Sequence, residues 1–287
     1  MQLTSYHLNH PKRRSTSVIF ASPHSGNAYP WSFLRKTVLD EKTIRSSEDA
    51  FVDQLFDSVP SNGALFLKAG VPRAFVDLNR AEDELDPALI EGIPRKHVSP
   101  RVAMGLGVVP RVVANSRSIY YGKISLAEAE GRLKEYWQPY HDTLHRLMRE
   151  NTALFGQSIL IDCHSMPREA VAQLSKTKSG RPDIVIGDRF GASAAPEIVE
   201  KIEALFAQEG LNVARNAPFA GAYTVRRYGK PARGRHAVQI EIDRSLYMDE
   251  MAIEPNRHFD EFKDLIQRVT AQIADIGRTE TTALAAE

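Results

Sequence analysis

The stretch Ser158-Ile-Leu-Ile-Asp-Cys-His-Ser-Met-Pro167 indicates how the chain folds. Its first half is a short apolar run, and its second half turns polar and stops at a proline. This order is typical of a buried parallel strand that emerges from its carboxyl end into a loop. Ligands and catalytic groups gather at the carboxyl ends of strands in open α/β sheets. We therefore expect His164 to lie in a functional site.

A second stretch, Ser17-Val-Ile-Phe-Ala-Ser-Pro-His-Ser-Gly26, follows the same order, with an apolar run that leads to His24. Two strands that each place a histidine at one edge of a sheet predict a metal site. Catalytic zinc normally takes three His, Asp or Glu ligands and leaves one position open for water. We predict that Glu48, at a helix start, completes the set with His24 and His164. The alternatives are histidines hydrogen-bonded to the backbone and an acid that only favours the helix dipole.

The segment Val238-Gln-Ile-Glu-Ile-Asp243 alternates between apolar and polar residues, which predicts a strand. A row of polar side chains along a core strand costs free energy unless something pairs with it, and a site cavity would explain that row. Glu241 lies in the middle of the row, where it could act on water at a metal ion. The alternative is an edge strand with one face in solvent.

Arginines follow or interrupt several of these segments, among them Arg80, Arg226 and Arg244. Arginine binds carboxylates through two parallel hydrogen bonds, so these residues indicate a small anionic substrate. Each one alone could equally be a surface charge that balances the 36 acidic residues of the chain.

The remaining pattern predicts an α/β protein. Strands are predicted over residues 18–21, 64–68, 74–78, 184–186 and 213–215, and helices over 51–59, 198–206 and 262–273. Ser125 begins a long helix through a capping box, and Pro139 is predicted to kink or split it. Residues 81–117 and 216–235 are predicted as loops, the first a long surface excursion of the kind that often serves as a lid.

Composition describes a soluble globular protein with a full core. The chain has 287 residues, a formal net charge of +1 and 43% apolar residues, so neither nucleic acid nor an acidic membrane is expected as a main partner. The single Cys163 excludes an intramolecular disulfide, and alternation turns it toward the core. No stretch resembles a signal peptide or approaches the roughly 20 apolar residues that span a bilayer. We expect a cytoplasmic protein with one domain over residues 1–287, frayed from about 279.

Six motifs together resemble the N-formylglutamate amidohydrolase family over residues 18–250. They are Ser22-Pro-His-Ser-Gly26 with Pro30, Asp77-Leu-Asn-Arg80, Asp162-Cys-His-Ser165, Pro182-Asp-Ile-Val-Ile-Gly-Asp188, Pro218-Phe-Ala-Gly-Ala-Tyr-Thr224 and Gln239-Ile-Glu-Ile-Asp-Arg244. That family is similar to the zinc carboxypeptidase-like hydrolases and to aspartoacylases. The resemblance implies one α/β domain with a mixed, mostly parallel sheet flanked by helices.

The resemblance also implies a metal centre. Zinc would be held by His24, an acid matching Glu48, and His164, although Asp49 matches that acid as well. Glu241 would be the general base. The implied reaction is hydrolysis of N-formyl-L-glutamate to formate and glutamate.

Substrate contacts are implied by the same motifs. Arg80, together with Asn79, would bind a substrate carboxylate, and Arg80 would also lie near the oxyanion of the reaction. The loop that carries Tyr223, Arg226 and Tyr228 would close on the substrate.

Three alternatives stay open on the sequence alone. The first is an aspartoacylase-like or carboxypeptidase-like hydrolase of another N-acyl amino acid or peptide. The second is a metal-free serine hydrolase that uses Ser25 or Ser165, although the chain has no G-x-S-x-G elbow. The third is a ligand-binding relative without activity. If the site binds a metal, Asp162 is a candidate to orient one of the histidine ligands.

Overall fold

Seven strands form one sheet in the computed structural model, which describes residues 3–94, 98–176 and 180–278. The strands are β1 (Tyr6–Asn9), β2 (Val18–Ser22), β3 (Leu65–Ala69), β4 (Ser158–Met166), β5 (Ile184–Gly187), β6 (Val213–Arg215) and β7 (Arg235–Asp243). They lie in the order β1-β3-β2-β4-β7-β5-β6. β1 is antiparallel to β3 and β5 is antiparallel to β7, whereas the other neighbours are parallel. The predicted mixed, mostly parallel sheet is confirmed.

Helices connect and cover these strands. They are α1 (Trp31–Leu34), α2 (Glu41–Arg45), α3 (Val52–Leu55), α4 (Pro100–Ala103), α5 (Leu126–Arg132), α6 (Gln138–Phe155), α7 (Pro196–Gln208), α8 (Tyr223–Tyr228) and α9 (Phe259–Ile276). A separate small hairpin pairs β8 (Met248–Asp249) with β9 (Glu254–Pro255).

An apolar core lies on each face of the sheet. α6 packs on one face through residues such as Tyr140 and Leu144, and α9 packs on the other through Ile266 and Ile273. Side chains alternate between the faces along each strand. Toward the carboxyl ends of β4 and β7, the side chains on the α6 face are polar and buried instead of apolar. They are Asp162, His164, Gln239 and Glu241. The polar site therefore lies on that face, near the carboxyl ends of the central strands.

The strand β4 is longer than its polarity suggests. It runs through His164 to Met166 and pairs with β7 at every residue, from Ser158 opposite Arg235 to Met166 opposite Asp243. The polar residues are thus held by a regular ladder rather than by a loop. Cys163 points to the α9 face and packs in that core, as predicted.

The predicted strand over residues 74–78 is wrong. The chain turns there, because the backbone N–H groups of Phe75 and Val76 both donate to the carbonyl of Pro72. Val76 and Leu78 are still buried in the core of the α6 face. The apolar run reflects this burial and not a strand.

The two predicted loops also contain more structure than their composition suggests. Residues 81–117 include α4, and within their described part apolar residues such as Leu89, Ile90 and Val108 pack into the core, so this segment is not only a surface excursion. Residues 216–235 include α8. Its Thr224 N–H donates to Asn79 Oδ1, a partner distant in sequence that local pattern cannot reveal.

The long helix begins and divides as predicted. Ser125 Oγ accepts a hydrogen bond from the backbone N–H of Glu128 at the start of α5. A π-helical turn over Leu133–Trp137 then separates α5 from α6, so the break immediately precedes Pro139.

By contrast, the helix predicted over 51–59 is only the single turn α3, because Pro60 lies in a following 3₁₀ turn.

A buried histidine on α6 makes folding stability dependent on pH. His141 Nε2 donates to the carbonyl of Leu78, and its Nδ1 lies 2.9 Å from the hydroxyl of Tyr228. Burial lowers the pKa of His141 to about 3. The unfolded chain protonates this imidazole below about pH 6.5 and the folded chain does not until about pH 3, so the folded state loses stability as pH falls through this window. At pH 5 the loss amounts to about 2 kcal/mol.

We therefore expect His141→Gln to weaken the acid sensitivity of folding. The free energy of unfolding, measured in urea at pH 7 and pH 5, should fall between these values by about 2 kcal/mol less in the variant than in the wild type. His145→Gln is the matched control, because His145 lies one turn away on α6 and is exposed. An unchanged pH dependence in the His141 variant would contradict this assignment.

Candidate active site

Two buried histidines meet near the carboxyl edge of the sheet. His24 follows β2 and His164 lies near the end of β4, and these strands are parallel neighbours. The two ring centroids are 4.7 Å apart. The pairing of β2 with β4 therefore produces the juxtaposition that the two sequence stretches predicted.

Asp49 places a carboxylate beside both imidazoles. Its Oδ2 lies 2.9 Å from His164 Nδ1 and 3.4 Å from His24 Nδ1. The donor atoms of the three residues all lie within 4.8 Å of one another. Ligands of a tetrahedral zinc site, about 2.1 Å from the metal, are about 3.4 Å apart. Two imidazoles and one carboxylate in this arrangement could hold a divalent metal ion.

The contacts of His24 fit such an ion. Its Nε2 lies 2.7 Å from Asp77 Oδ1, so this carboxylate can accept the Nε2 proton and leave the Nδ1 lone pair free. Nδ1 is buried and makes no hydrogen bond within the described part of the chain. A buried ring nitrogen without a partner costs free energy, and a metal ion would remove that cost.

The second imidazole has a similar outer contact. Asp162 Oδ2 lies 3.1 Å from His164 Nε2, and neither oxygen of this fully buried carboxylate makes a hydrogen bond among the described residues. Asn79 Nδ2 lies at the same distance from that nitrogen. If His164 Nδ1 bound a metal, its Nε2 would carry the proton, and Asp162 is placed to accept it.

Glu48, the predicted third ligand, is not part of this cluster. Its carboxylate accepts hydrogen bonds from the Tyr29 hydroxyl at 2.5 Å and from Arg45 Nε at 3.2 Å. The alternative acid Asp49 occupies the position instead, because its backbone N–H donates to the carbonyl of His24. That bond fixes Asp49, and not its neighbour, against the histidine segment.

Asp49 and His164 carry opposite charges in the cluster. Burial raises the pKa of Asp49, but the nearby His164 and His24 imidazoles outweigh it and hold the pKa well below its usual range. For His164, burial lowers the pKa, but Asp162 and Asp49 outweigh it and raise the pKa well above its usual range. A metal ion bound here would displace a proton from His164, so its affinity should fall with falling pH.

Glu241 lies beside the cluster on an interior strand. β7 runs between β4 and β5, and Glu241 is directly opposite His164 in the ladder. The alternative of a solvent-facing edge strand is therefore excluded. Burial raises the pKa of Glu241 to about 7, against the effect of His164. A carboxylate with such a pKa suits proton transfer near neutral pH, although a divalent ion nearby would lower it.

Two arginines hold the carboxylates of the cluster in place. Arg244 Nη2 lies 3.0 Å from Asp49 Oδ1, and Arg244 Nε donates to the hydroxyl of Ser165. Arg73 Nη2 lies 2.8 Å from Asp77 Oδ2. Arg244 was predicted to bind substrate, and the structure shows its guanidinium engaged within the protein. Sequence reasoning missed Arg73, since it lies in a turn with no periodic signal.

The predicted substrate residues Asn79 and Arg80 lie at the rim of the cluster. Asn79 Oδ1 accepts the backbone N–H of Thr224, and Asn79 Nδ2 lies 3.1 Å from His164 Nε2. Arg80 is buried and donates to the carbonyl groups of Leu106 and Asn79, and no carboxylate lies within ion-pair distance of it in the described ranges. Burial lowers the pKa of Arg80, which indicates that an anion would stabilise its charge.

The third group of predicted substrate residues is carried by α8. Tyr223 is half-buried, 6.0 Å from the ring of Trp137, and the guanidinium of Arg226 lies 5.8 Å above its ring. Arg226 itself is exposed. Tyr228 is buried at the other end of α8 and contacts His141 instead of solvent.

Neither serine of the metal-free alternative contacts a histidine among the described residues. Ser25 Oγ accepts a hydrogen bond from Ser22 Oγ, and Ser165 Oγ accepts one from Arg244. A serine nucleophile needs a base within hydrogen-bond reach, and the described contacts do not provide one.

The family model for N-formylglutamate amidohydrolase matches residues 16–248, a range that contains the histidine cluster and Glu241. The chain belongs to this family. Curated relatives are similar over most of their length. An N-formylglutamate deformylase of Pseudomonas aeruginosa is 32% identical over 84% of this chain and 85% of its own. One of Pseudomonas putida is 28% identical over 89% and 90%.

Solved structures agree with the family assignment. The N-formylglutamate amidohydrolase from Ralstonia eutropha JMP134 is 33% identical, with a TM-score of 0.88 over 95% of this chain and 98% of that one. A protein of Agrobacterium tumefaciens, 16% identical with a TM-score of 0.64, shares the fold. Among the described residues, no helix of this family member has both the length and the apolarity needed to cross a membrane.

Proposed function

We propose that this protein hydrolyses N-formyl-L-glutamate to formate and glutamate, with a zinc ion held by His24, Asp49 and His164. The observation that carries the proposal is the buried donor set next to a glutamate with a raised pKa. The relatives that match over most of the chain are named as deformylases or amidohydrolases of this substrate.

The metal and Glu241 would share the work of the reaction. When bound, zinc supplies Lewis-acid polarisation of the amide carbonyl and makes water acidic enough to attack near neutral pH. Glu241 would take a proton from the attacking water as general base and then give it to the amine of glutamate as the bond between that nitrogen and the formyl carbon breaks. Its buried position close to His164 keeps bulk water from competing for the proton.

Arginines would hold the negative charges of substrate and oxyanion. The side chain of Arg73 lies beside Asp49 and Asp77 and is 21% exposed. It is also close enough to Glu241 to lower the pKa of that residue. We assign it to the oxyanion that develops on the formyl group. No carboxylate of the described residues forms an ion pair with Arg80, so a substrate carboxylate suits it. Tyr223 and Arg226, on α8, would contact the rest of the glutamate.

The test measures how fast the zinc-loaded protein hydrolyses a panel of N-acyl amino acids and short peptides, by release of the free amino acid and of the acyl group as a carboxylic acid. We expect N-formyl-L-glutamate to be hydrolysed with the highest kcat/KM, and chelation of the metal to abolish the activity. Faster hydrolysis of N-acetyl-L-aspartate or of a short peptide would favour the aspartoacylase-like or carboxypeptidase-like alternative. Activity that survives chelation would contradict the metal-dependent mechanism.

A further inference from the structure

One buried amide side chain connects the proposed general base to the helix that carries the substrate residues. Gln239 precedes Glu241 by two positions on β7, so both side chains lie on the α6 face of the sheet. Its Nε2 donates to Glu241 Oε1 at 2.8 Å. Its Oε1 accepts the backbone N–H of Ala222 at 3.1 Å, directly before α8. Gln239 is only 3% exposed.

These two contacts fix the orientation of the amide. A flipped Gln239 would place its oxygen against a carboxylate and its NH₂ group against a backbone N–H, and both contacts would be repulsive. The amide therefore presents a donor to Glu241 as long as Ala222 stays in place. An unpaired Ala222 N–H at this position would also cost free energy.

The backbone before α8 is held firmly against the sheet. A Cβ atom at Gly187, which lies opposite Gln239 on β5, would come within 2.8 Å of the carbonyl carbon of Ala220 and 2.7 Å of the backbone nitrogen of Gly221. The carbonyl of Ala220 accepts the N–H of Arg189. The Oε1 of Gln239 therefore accepts its hydrogen bond from a backbone segment that has little freedom to move.

The two oxygens of Glu241 differ in their contacts within the described residues. Oε1 is taken by the Gln239 amide, and Oε2 accepts no hydrogen bond within the described part of the protein. We infer that Gln239 is a positioning residue, which fixes Oε2 of Glu241 as the proton-accepting oxygen and ties the base to the α8 segment. This inference deepens the proposed function and rests on it.

Gln239→Glu separates the two contacts. A glutamate at this position still accepts the N–H of Ala222, so the link to α8 is kept. It faces Glu241 with a second carboxylate, however, and two carboxylates this close share a proton. The base is then occupied near neutral pH. We expect kcat for N-formyl-L-glutamate to fall about 100-fold with KM changed by less than about threefold.

Gln239→Met is the neutral counterpart, because it removes both the donor to Glu241 and the acceptor of the Ala222 N–H without adding charge and keeps the length of the side chain. We expect its kcat to fall about 10-fold, a loss of the size seen when a partner of a catalytic group is removed. Zinc content and melting temperature are measured on both variants. If one variant fails to fold, the other decides the question.

Two results would overturn the inference. The first is a Gln239→Glu protein with kcat within about threefold of the wild type, since the donor would then be dispensable. The second is a Gln239→Met protein with unchanged kcat and a raised KM, which would show that Gln239 acts on α8 alone. Both results presuppose that the wild type hydrolyses N-formyl-L-glutamate, and a wild type without that activity would instead contradict the proposed function.

Discussion

Glu241→Gln is expected to lower kcat for N-formyl-L-glutamate by about 10³-fold while zinc content stays at the wild-type value. The magnitude follows from the contribution of a positioned general base, about 10² to 10⁴ in rate. Glutamine has the shape of glutamate, and its side-chain oxygen can still accept the Gln239 donor. The variant therefore keeps the packing of β7 and loses only the ability to take a proton.

Glu254→Gln is a matched control for this substitution, because it makes the same chemical change on the exposed strand β9. It should leave kcat and KM unchanged. Steady-state kinetics on both proteins, with metal analysis of the same samples, decide the result. A Glu241→Gln protein with near wild-type kcat would show that another group accepts the proton.

Asp49→Asn is expected to lower the zinc affinity of the protein strongly, whereas Glu48→Gln is not. Asp49 Oδ2 faces both imidazoles, and the loss of its charge would remove one of the three proposed ligands. We expect zinc affinity to fall by more than the roughly 10- to 100-fold typical of residues that only support a ligand. Glu48, held by Tyr29 and Arg45, should change that affinity by less than about threefold.

The two acids are a stringent pair, since they are adjacent in the sequence, both buried and both hydrogen-bonded to neighbouring side chains. Competition with a chelating dye gives the zinc affinity of each variant. Loss of zinc in Glu48→Gln together with retention in Asp49→Asn would restore the ligand set first predicted from the sequence. A melting curve of each zinc-free protein separates metal loss from unfolding, because Asp49 also pairs with Arg244.

The sequence predicts where the site lies better than it predicts which residues form it. An apolar run that ends in a histidine marks a strand end, and parallel neighbours bring such ends together, so His24 and His164 could be placed beside each other. Glu241 could be placed as well, because strict alternation fixes its face of the strand. These inferences depend only on the period of a strand, which is a local property.

The choice between Glu48 and Asp49 depends on information that is not local. A backbone hydrogen bond from Asp49 to His24 and a left-handed residue at Phe51, with φ of 66°, determine which acid faces inward. Neither feature has a signature in the residue types. A shift of one position in such a turn redirects the side chain completely, so the pattern alone left both acids open.

Arg73 and Gln239 were missed for a related reason. Arg73 lies in a turn where the apolar residues after it suggested a strand, and its partner Asp77 is defined only by the folded chain. The role of Gln239 depends on Ala222, which lies 17 positions earlier in the sequence. Contacts of this kind arise from tertiary packing and leave no period in the sequence.

The most direct test of the metal-dependent function is a zinc titration of the metal-depleted protein, with formate release from N-formyl-L-glutamate as the readout. We expect no release from the depleted protein and a linear recovery that saturates at one zinc ion per chain, with no recovery in Asp49→Asn. Full formate release by protein that contains no metal would contradict the account.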